Sequence, residues 1–184
     1  MIAARVQTYP LRLPDAPASQ VYREVSPDVS GRMRWVKPNL FGNQYELWSN
    51  DHRTGTLAIN GFFRPTGYCE GTSGRWIVEP MNTDTGIIVV RSSESFQEVG
   101  SFEMGLSAHG GILRTHDDQV LVLESDFWKG RAEFQSPSRE PLIRYRFHGL
   151  VRPSADVEIL GKGRQLQGLP WISMLGWCLI VGYL

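Results

Sequence analysis

His109, His116, Asp117 and Asp118 bring imidazole and carboxylate side chains close together in the chain, and those are the types that hold a metal ion or move a proton. An enzyme built on them needs His109, His116 and Asp117 to converge on one pocket. The same residues have a plainer use, because Asp-Asp between two apolar runs is hairpin-turn composition, and a metal would need further ligands. His52 beside Asp51 reads the same way. Ser92, Ser93, Ser95 and Ser107 lie near His109, but no G-x-S-x-G elbow is present, and hydroxyls are ordinary in turns. Gly161-Lys162-Gly163-Arg164 superficially looks like a phosphate loop, yet lacks the G-x-x-x-x-G-K-[ST] spacing and a parallel strand–helix unit; it reads as the turn into a final helix. Cys69 and Cys178 are too few for a disulfide scaffold or a Cys-based zinc site and read as reduced thiols. No cofactor is implied.

One signal points to a partner. Arg144 and Arg146 share a strand face, with Lys129, Arg131, Arg152, Lys162 and Arg164 in flanking segments. Gathered on one side of a barrel, they would draw anionic lipid head groups at about 1 kcal/mol per cation. Trp128, with Phe127 in a Gly-bounded turn, would add an aromatic edge. Against this stand Glu133, Glu140, Asp156 and Glu158 in the same segments, which make an ordinary solvated face of alternating charge. Trp35, Trp48, Trp76, Trp171 and Trp177 are expected in the interior or at the barrel ends, where indole N–H groups can find acceptors.

The elements that must position these residues follow from the whole chain. Its 184 residues suit a single domain with one core. Nineteen basic residues cancel nineteen acidic ones, so no global field would draw nucleic acid. The charge is uneven, +3 over residues 1–45, −6 over 46–125 and +3 over 126–184. The N-terminus lacks the apolar run of a signal peptide, which predicts a cytoplasmic protein. Residues 1–30, with Pro10, Pro14, Pro17 and Pro27, read as an extended or partly ordered arm with one suggested strand near Ile2 to Thr8.

From Arg32 onward, β-type runs alternate with turn signals. The expected strands are Arg32 to Val36, Tyr45 to Ser49, Thr56 to Phe63, Gly67 to Glu70, Arg75 to Glu79, Gly86 to Arg91, Phe96 to Glu103, Ile112 to Thr115, Gln119 to Glu124, Arg131 to Gln135, Leu142 to Phe147 and Asp156 to Leu160. In Leu142 to His148, Ile143, Tyr145 and Phe147 share one face and Arg144, Arg146 and His148 the other, as a half-buried strand requires. Ile87 to Val90 and Val120 to Leu123 are apolar on both faces and should be covered on both. Leu169 to Leu184 carries no charge and is apolar all round. As a helix it spans about 24 Å, short of the ~30 Å hydrocarbon core, so it is expected inside the protein; a tail anchor leaving the barrel is the other use. Many antiparallel strands followed by one such helix are most economically satisfied by wrapping the sheet around it, which also removes exposed edges.

Trp35-Val36-Lys37-Pro38-Asn39-Leu40-Phe41-Gly42-Asn43-Gln44-Tyr45-Glu46-Leu47, then Asp126-Phe127-Trp128, then the apolar terminus with Leu175-Gly176-Trp177, resemble a group of small bacterial proteins of the tubby C-terminal-like superfamily. The resemblance covers roughly Arg32 to Leu184. It implies a mainly β fold, a twelve-stranded antiparallel closed barrel around a buried C-terminal helix at about 169–184, shared with LURP-one-related proteins, tubby domains and phospholipid scramblases. Tubby domains bind phosphoinositides in a basic pocket, but its residues do not map one by one onto this chain. The Cys-rich lipidation segment and calcium-loop-like segment of scramblases have no counterpart here. The combined expectation is a monomeric, non-enzymatic barrel, cytoplasmic or peripheral to the membrane, binding anionic phospholipid. The rivals are an enzyme with a pocket at a barrel mouth and a tail-anchored protein. No protein partner is indicated.

Overall fold

The computed structural model describes residues 33–81, 86–105, 109–149 and 152–183. The expected arm over residues 1–30 and Ser107 lie outside them. Twelve strands follow in order: β1 Met33–Val36, β2 Gln44–Ser49, β3 His52–Asn60, β4 Thr66–Gly71, β5 Gly74–Pro80, β6 Ile87–Ser92, β7 Glu98–Met104, β8 Gly110–Thr115, β9 Val120–Asp126, β10 Arg131–Gln135, β11 Pro141–His148 and β12 Ser154–Ile159. Short 3-10 turns occupy Phe127–Lys129 and Gly161–Gln165, and helix α1 spans Leu169–Gly182. Each strand pairs antiparallel with its sequence neighbours, and β1 pairs with β12, Trp35 opposite Ala155, to close the barrel.

Alternation sends one side chain in two to the lumen. Trp35, Leu57, Cys69, Val78, Phe102, Leu113, Leu121, Phe134, Ile143, Tyr145 and Val157 all point inward and are buried. An eight-stranded barrel is just filled by its own side chains, and a wider one is not. Here α1 fills the remaining space, with every residue from Trp171 to Ile180 buried. A helix surrounded by β wall has no solvent face, which is why it carries no charge. Pro170 stands in its first turn, where the missing N–H is not needed.

Small residues make room for it. A Cβ on the inward-facing Gly55 or Gly71 would stand 2.5 Å from Met174 Cε, one on Gly67 2.5 Å from Cys178 Sγ, and one on Gly100 2.7 Å from the Trp171 ring. In return Gly176 of the helix receives the ring of Tyr145, whose hydroxyl donates to the Ser173 carbonyl at 2.8 Å. Trp177 stacks on Trp35 with centroids 6.2 Å apart and meets Tyr45 edge-on at 5.8 Å.

Several expectations need correction. Strand β3 begins at His52 and ends at Asn60, not Thr56 to Phe63; Gly55 is an inward-facing strand residue beside Met174, and the chain turns at Gly61 with φ 89°. Trp48 lies half-buried on the outer wall, its indole N–H donating to Glu46 at 3.1 Å. The indole nitrogens of Trp35 and Trp177 are buried without an acceptor among the described residues. On the outer wall Val89 is buried, whereas Val120 and Val122 are only half-buried.

Candidate functional site

Because consecutive strands run in opposite directions, the connections fall alternately at two ends. Those after β2, β4, β6, β8, β10 and β12 lie at the end where α1 enters; those after β1, β3, β5, β7, β9 and β11 lie where it emerges. Tyr183 marks the exit end, its hydroxyl donating to the Pro65 carbonyl in the β3–β4 connection.

This alternation disperses the candidate catalytic groups. His116, Asp117 and Asp118 form the β8–β9 hairpin at the entry end, where the Asp118 N–H donates to Thr115 O at 3.1 Å and the Thr115 hydroxyl accepts from the Gln119 N–H at 3.1 Å. His109 precedes β8 at the opposite end. Six residues of strand separate the two imidazoles, about 20 Å at the usual rise, so they share no pocket. Ser92, Ser93 and Ser95 belong to the β6–β7 connection, also remote from His109. His52 and Asp51 flank a hairpin in which Asn50 and Asp51 have φ of 45° and 63°. Among the described residues no three His, Cys, Asp or Glu side chains are grouped to hold a metal ion. Burial pushes the Cys178 thiol up to about 12 and Cys69 well above its ordinary value, Cys178 adding to the latter; neither is a thiolate at neutral pH. The chain from Leu169 to Gly182 lies in the lumen, and no helix among the described residues is long and apolar enough to cross a membrane.

The eight expected lipid contacts divide among three places. Arg131, Arg144 and Arg146 stand on the outer wall of β10 and β11, each answered by carboxylate. Arg144 Nε donates to Glu133 and Nη1 to Glu158 at 3.1 Å; Arg131 donates to Glu133 at 2.8 Å; Arg146 lies 3.9 Å from Glu158. Lys162 and Arg164 sit on the turn into α1 at the entry end, Lys162 paired with Glu140 at 2.8 Å. Trp128, Lys129 and Arg152 belong to the exit end. The expected single basic side therefore does not form: on the wall, cation and carboxylate alternate across strands, and the local field cancels.

Glu133 anchors that wall. Its side chain is 5% exposed, and burial alone would raise its pKa, but hydrogen bonds from Arg144 and Arg131 outweigh burial and hold it below the ordinary range. A carboxylate depressed on folding contributes stability above its unfolded pKa of about 4.3 and loses it as pH falls through the lower folded value. Denaturant midpoints followed downward from neutral pH should therefore fall through this acid window in the parent and fall less in Glu133→Gln. Parallel curves would remove Glu133 from the account. Glu133→Ala, which strands a mostly buried guanidinium, should cost roughly 2–3 kcal/mol at neutral pH, below the range for a fully buried pair.

The exit end has a different character. Of the eight large apolar side chains exposed among the described residues, seven are here: Leu40 and Phe41 after β1, Phe62 and Phe63 after β3, Met81 after β5, and Phe127 and Trp128 after β9; only Phe96 is at the entry end. Phe41, Phe62, Phe63 and Trp128 are each more than 90% exposed. Local structure holds them out. Asp126 caps the 3-10 turn by accepting from the Lys129 N–H at 3.1 Å, and Gly130 closes it with φ 61°, leaving Trp128 wholly exposed. The Lys129 side chain and amide hold the Asp126 carboxyl below its ordinary range. Phe62 and Phe63 meet edge-to-face, centroids 5.2 Å apart.

Charge follows the same division. The described connections of the exit end carry Lys37, Arg64, Lys129 and Arg152 and no acid, while those of the entry end carry Asp51, Glu94, Asp117, Asp118 and Glu140 against Arg139, Lys162 and Arg164. Arg152 also braces the exit end, donating to the Lys37 and Pro38 carbonyls at 2.8 and 2.9 Å. Sequence reasoning found Trp128, Lys129 and Arg152 but missed Phe41, Phe62, Phe63, Lys37 and Arg64 as members of one face. The one usable signal was connection parity, since every exposed aromatic but Phe96 follows an odd-numbered strand. Comparisons with protein-family models, with curated proteins and with solved structures find no match for this chain.

Proposed function

We propose that this protein is a non-catalytic, monomeric barrel that docks end-on, as a peripheral protein, on membranes containing anionic phospholipid. The observation that carries the proposal is the coincidence at one barrel end of exposed aromatic side chains and unopposed cationic connections. Exposed aromatic residues are costly in water and settle at the headgroup level of a bilayer. Each of Phe41, Phe62, Phe63 and Trp128 contributes roughly 1.5–3 kcal/mol if fully buried, and four nearby cations about 1 kcal/mol each on an anionic surface. Against an association cost of about 4–15 kcal/mol, the balance describes reversible attachment that needs both contributions. The superfamily membership implied by the sequence resemblance belongs to the same proposal, and a closed twelve-stranded barrel around a C-terminal helix supports it.

Sedimentation with vesicles tests it. Detergent-free protein should pellet with vesicles of mixed phosphatidylcholine and phosphatidylglycerol, not with phosphatidylcholine alone, and pelleting should weaken as salt rises from about 0.01 M to about 0.15 M. The double variant Phe41→Ser/Trp128→Ser should lose most of it, while Arg146→Glu on the outer wall should not matter. Equal indifference of the parent protein to both vesicles at low salt would overturn the proposal.

A further inference from the structure

The exit end is not flat. A groove of about 290 Å³ opens between the β3–β4 connection and the end of α1, walled by Phe62, Phe63, Pro65, Met104 and Tyr183 and floored at Gly182. Its origin is local. The turn at Gly61, φ 89°, throws the Phe62–Phe63 pair outward, and α1 ends on Gly182, a residue with no side chain to fill the space beside Pro65. The one phenol in the walls is already engaged, because Tyr183 donates its hydroxyl to the Pro65 carbonyl. Arg64 stands at the lip.

We propose that this groove takes part of one acyl chain of an anionic amphiphile, with the head group beside Arg64. The inference rests on the membrane-docking proposal and specifies which part of the lipid the docked barrel grips. Three observations choose the occupant. The side chains of the walls are almost wholly apolar, so a hydrocarbon loses little by leaving other hydrocarbon for them, whereas a peptide strand would bring amides that these side chains cannot satisfy. The volume stands at the lower edge of small-ligand sites, roughly 300–1,000 Å³, which suits a segment of one chain and excludes a pair. The lip and the neighbouring connections carry Arg64, Lys37, Lys129 and Arg152 with no acid among the described residues, which selects a negative head group over a positive one.

Binding of cis-parinaric acid, a fluorescent anionic fatty acid, to the full chain in the absence of vesicles tests the groove directly. The parent should give a saturable fluorescence rise at one equivalent. Decanoate should displace the probe; decyltrimethylammonium should compete at least about tenfold more weakly, and inorganic phosphate not at all. Gly182→Leu fills the floor without disturbing the fold, since a Cβ there meets Ile59 Cδ1 at 3.5 Å and Pro65 Cβ at 3.9 Å, both ordinary contacts. It should weaken parinarate binding at least about tenfold with its melting transition unchanged and its pelleting with anionic vesicles retained. Arg64→Glu, in a connection and outside the core, should abolish the preference for decanoate over the cationic amphiphile. Vesicle pelleting without parinarate binding, or parinarate binding indifferent to Gly182→Leu, overturns the groove and leaves membrane docking standing. Parinarate binding that Gly182→Leu abolishes, in a protein that ignores vesicles, supports the groove and overturns membrane docking.

Discussion

Truncation after Gly168 is expected to abolish soluble folding. The deletion removes the ten consecutive buried residues Trp171 to Ile180, which at roughly 1.5–3 kcal/mol for each large apolar side chain buried forfeits well over the 5–15 kcal/mol by which a domain is normally stable. It also empties a lumen walled by Trp35, Leu57, Val78, Phe102, Phe134 and Tyr145. No repacking rescues it, because a closed wall of twelve hydrogen-bonded strands cannot shrink without breaking a ladder. The soluble fraction on expression and the far-ultraviolet spectrum of whatever is recovered check this; a truncated chain that stays monomeric and unfolds cooperatively would mean that α1 is not the core. Deletion of the exposed Phe62–Phe63 pair, equally apolar, should leave folding intact.

Gly176→Ala is the smallest change with a comparable expected consequence. In an isolated helix the substitution is favourable by about 1 kcal/mol. Here the added Cβ would stand 2.6 Å from Cζ and 2.8 Å from Cε2 of Tyr145, closer than atoms pack, and Tyr145 is fully buried with its hydroxyl tied to Ser173. Either the ring shifts and the hydrogen bond breaks, or α1 moves off the β10–β11 wall. Overpacking at about 1–3 kcal/mol together with a buried donor left unpaired at about 1–3 kcal/mol exceeds the propensity gain. The expected net is a destabilisation of about 2–4 kcal/mol, read from denaturant midpoints. Tyr145→Leu in the same chain removes the ring that causes the clash, so the double variant should be more stable than Gly176→Ala alone; additive losses would refute the packing explanation.

The number and order of strands were legible because their signals are local. Alternation in Ile143-Arg144-Tyr145-Arg146-Phe147 and turn residues such as Asp117-Asp118 act within a few positions, and all twelve expected strands are present in sequence order. The ends of β3 were not legible. Gly55 looks like a turn residue until Met174, over a hundred residues later, is seen to occupy the space its side chain would take. Phe62 and Phe63 look like a continuing strand, since apolar letters after Ile59 do not reveal that the chain has passed the rim of a barrel. The cationic segments failed differently. Arg131 and Arg144 belong to adjacent strands and meet on the same carboxylate, Glu133, a pairing set by register.

By itself the sequence determined that this chain closes a sheet around its own last helix. An uncharged, all-round apolar segment shorter than a bilayer has few places to go, and alternating strands are what can enclose it. Only the tertiary structure decided where the surface chemistry lies. Antiparallel alternation sends successive connections to opposite ends, so Phe41, Phe63 and Trp128, far apart in the chain, share a rim, while His109 and His116, seven residues apart, are separated by the height of the barrel.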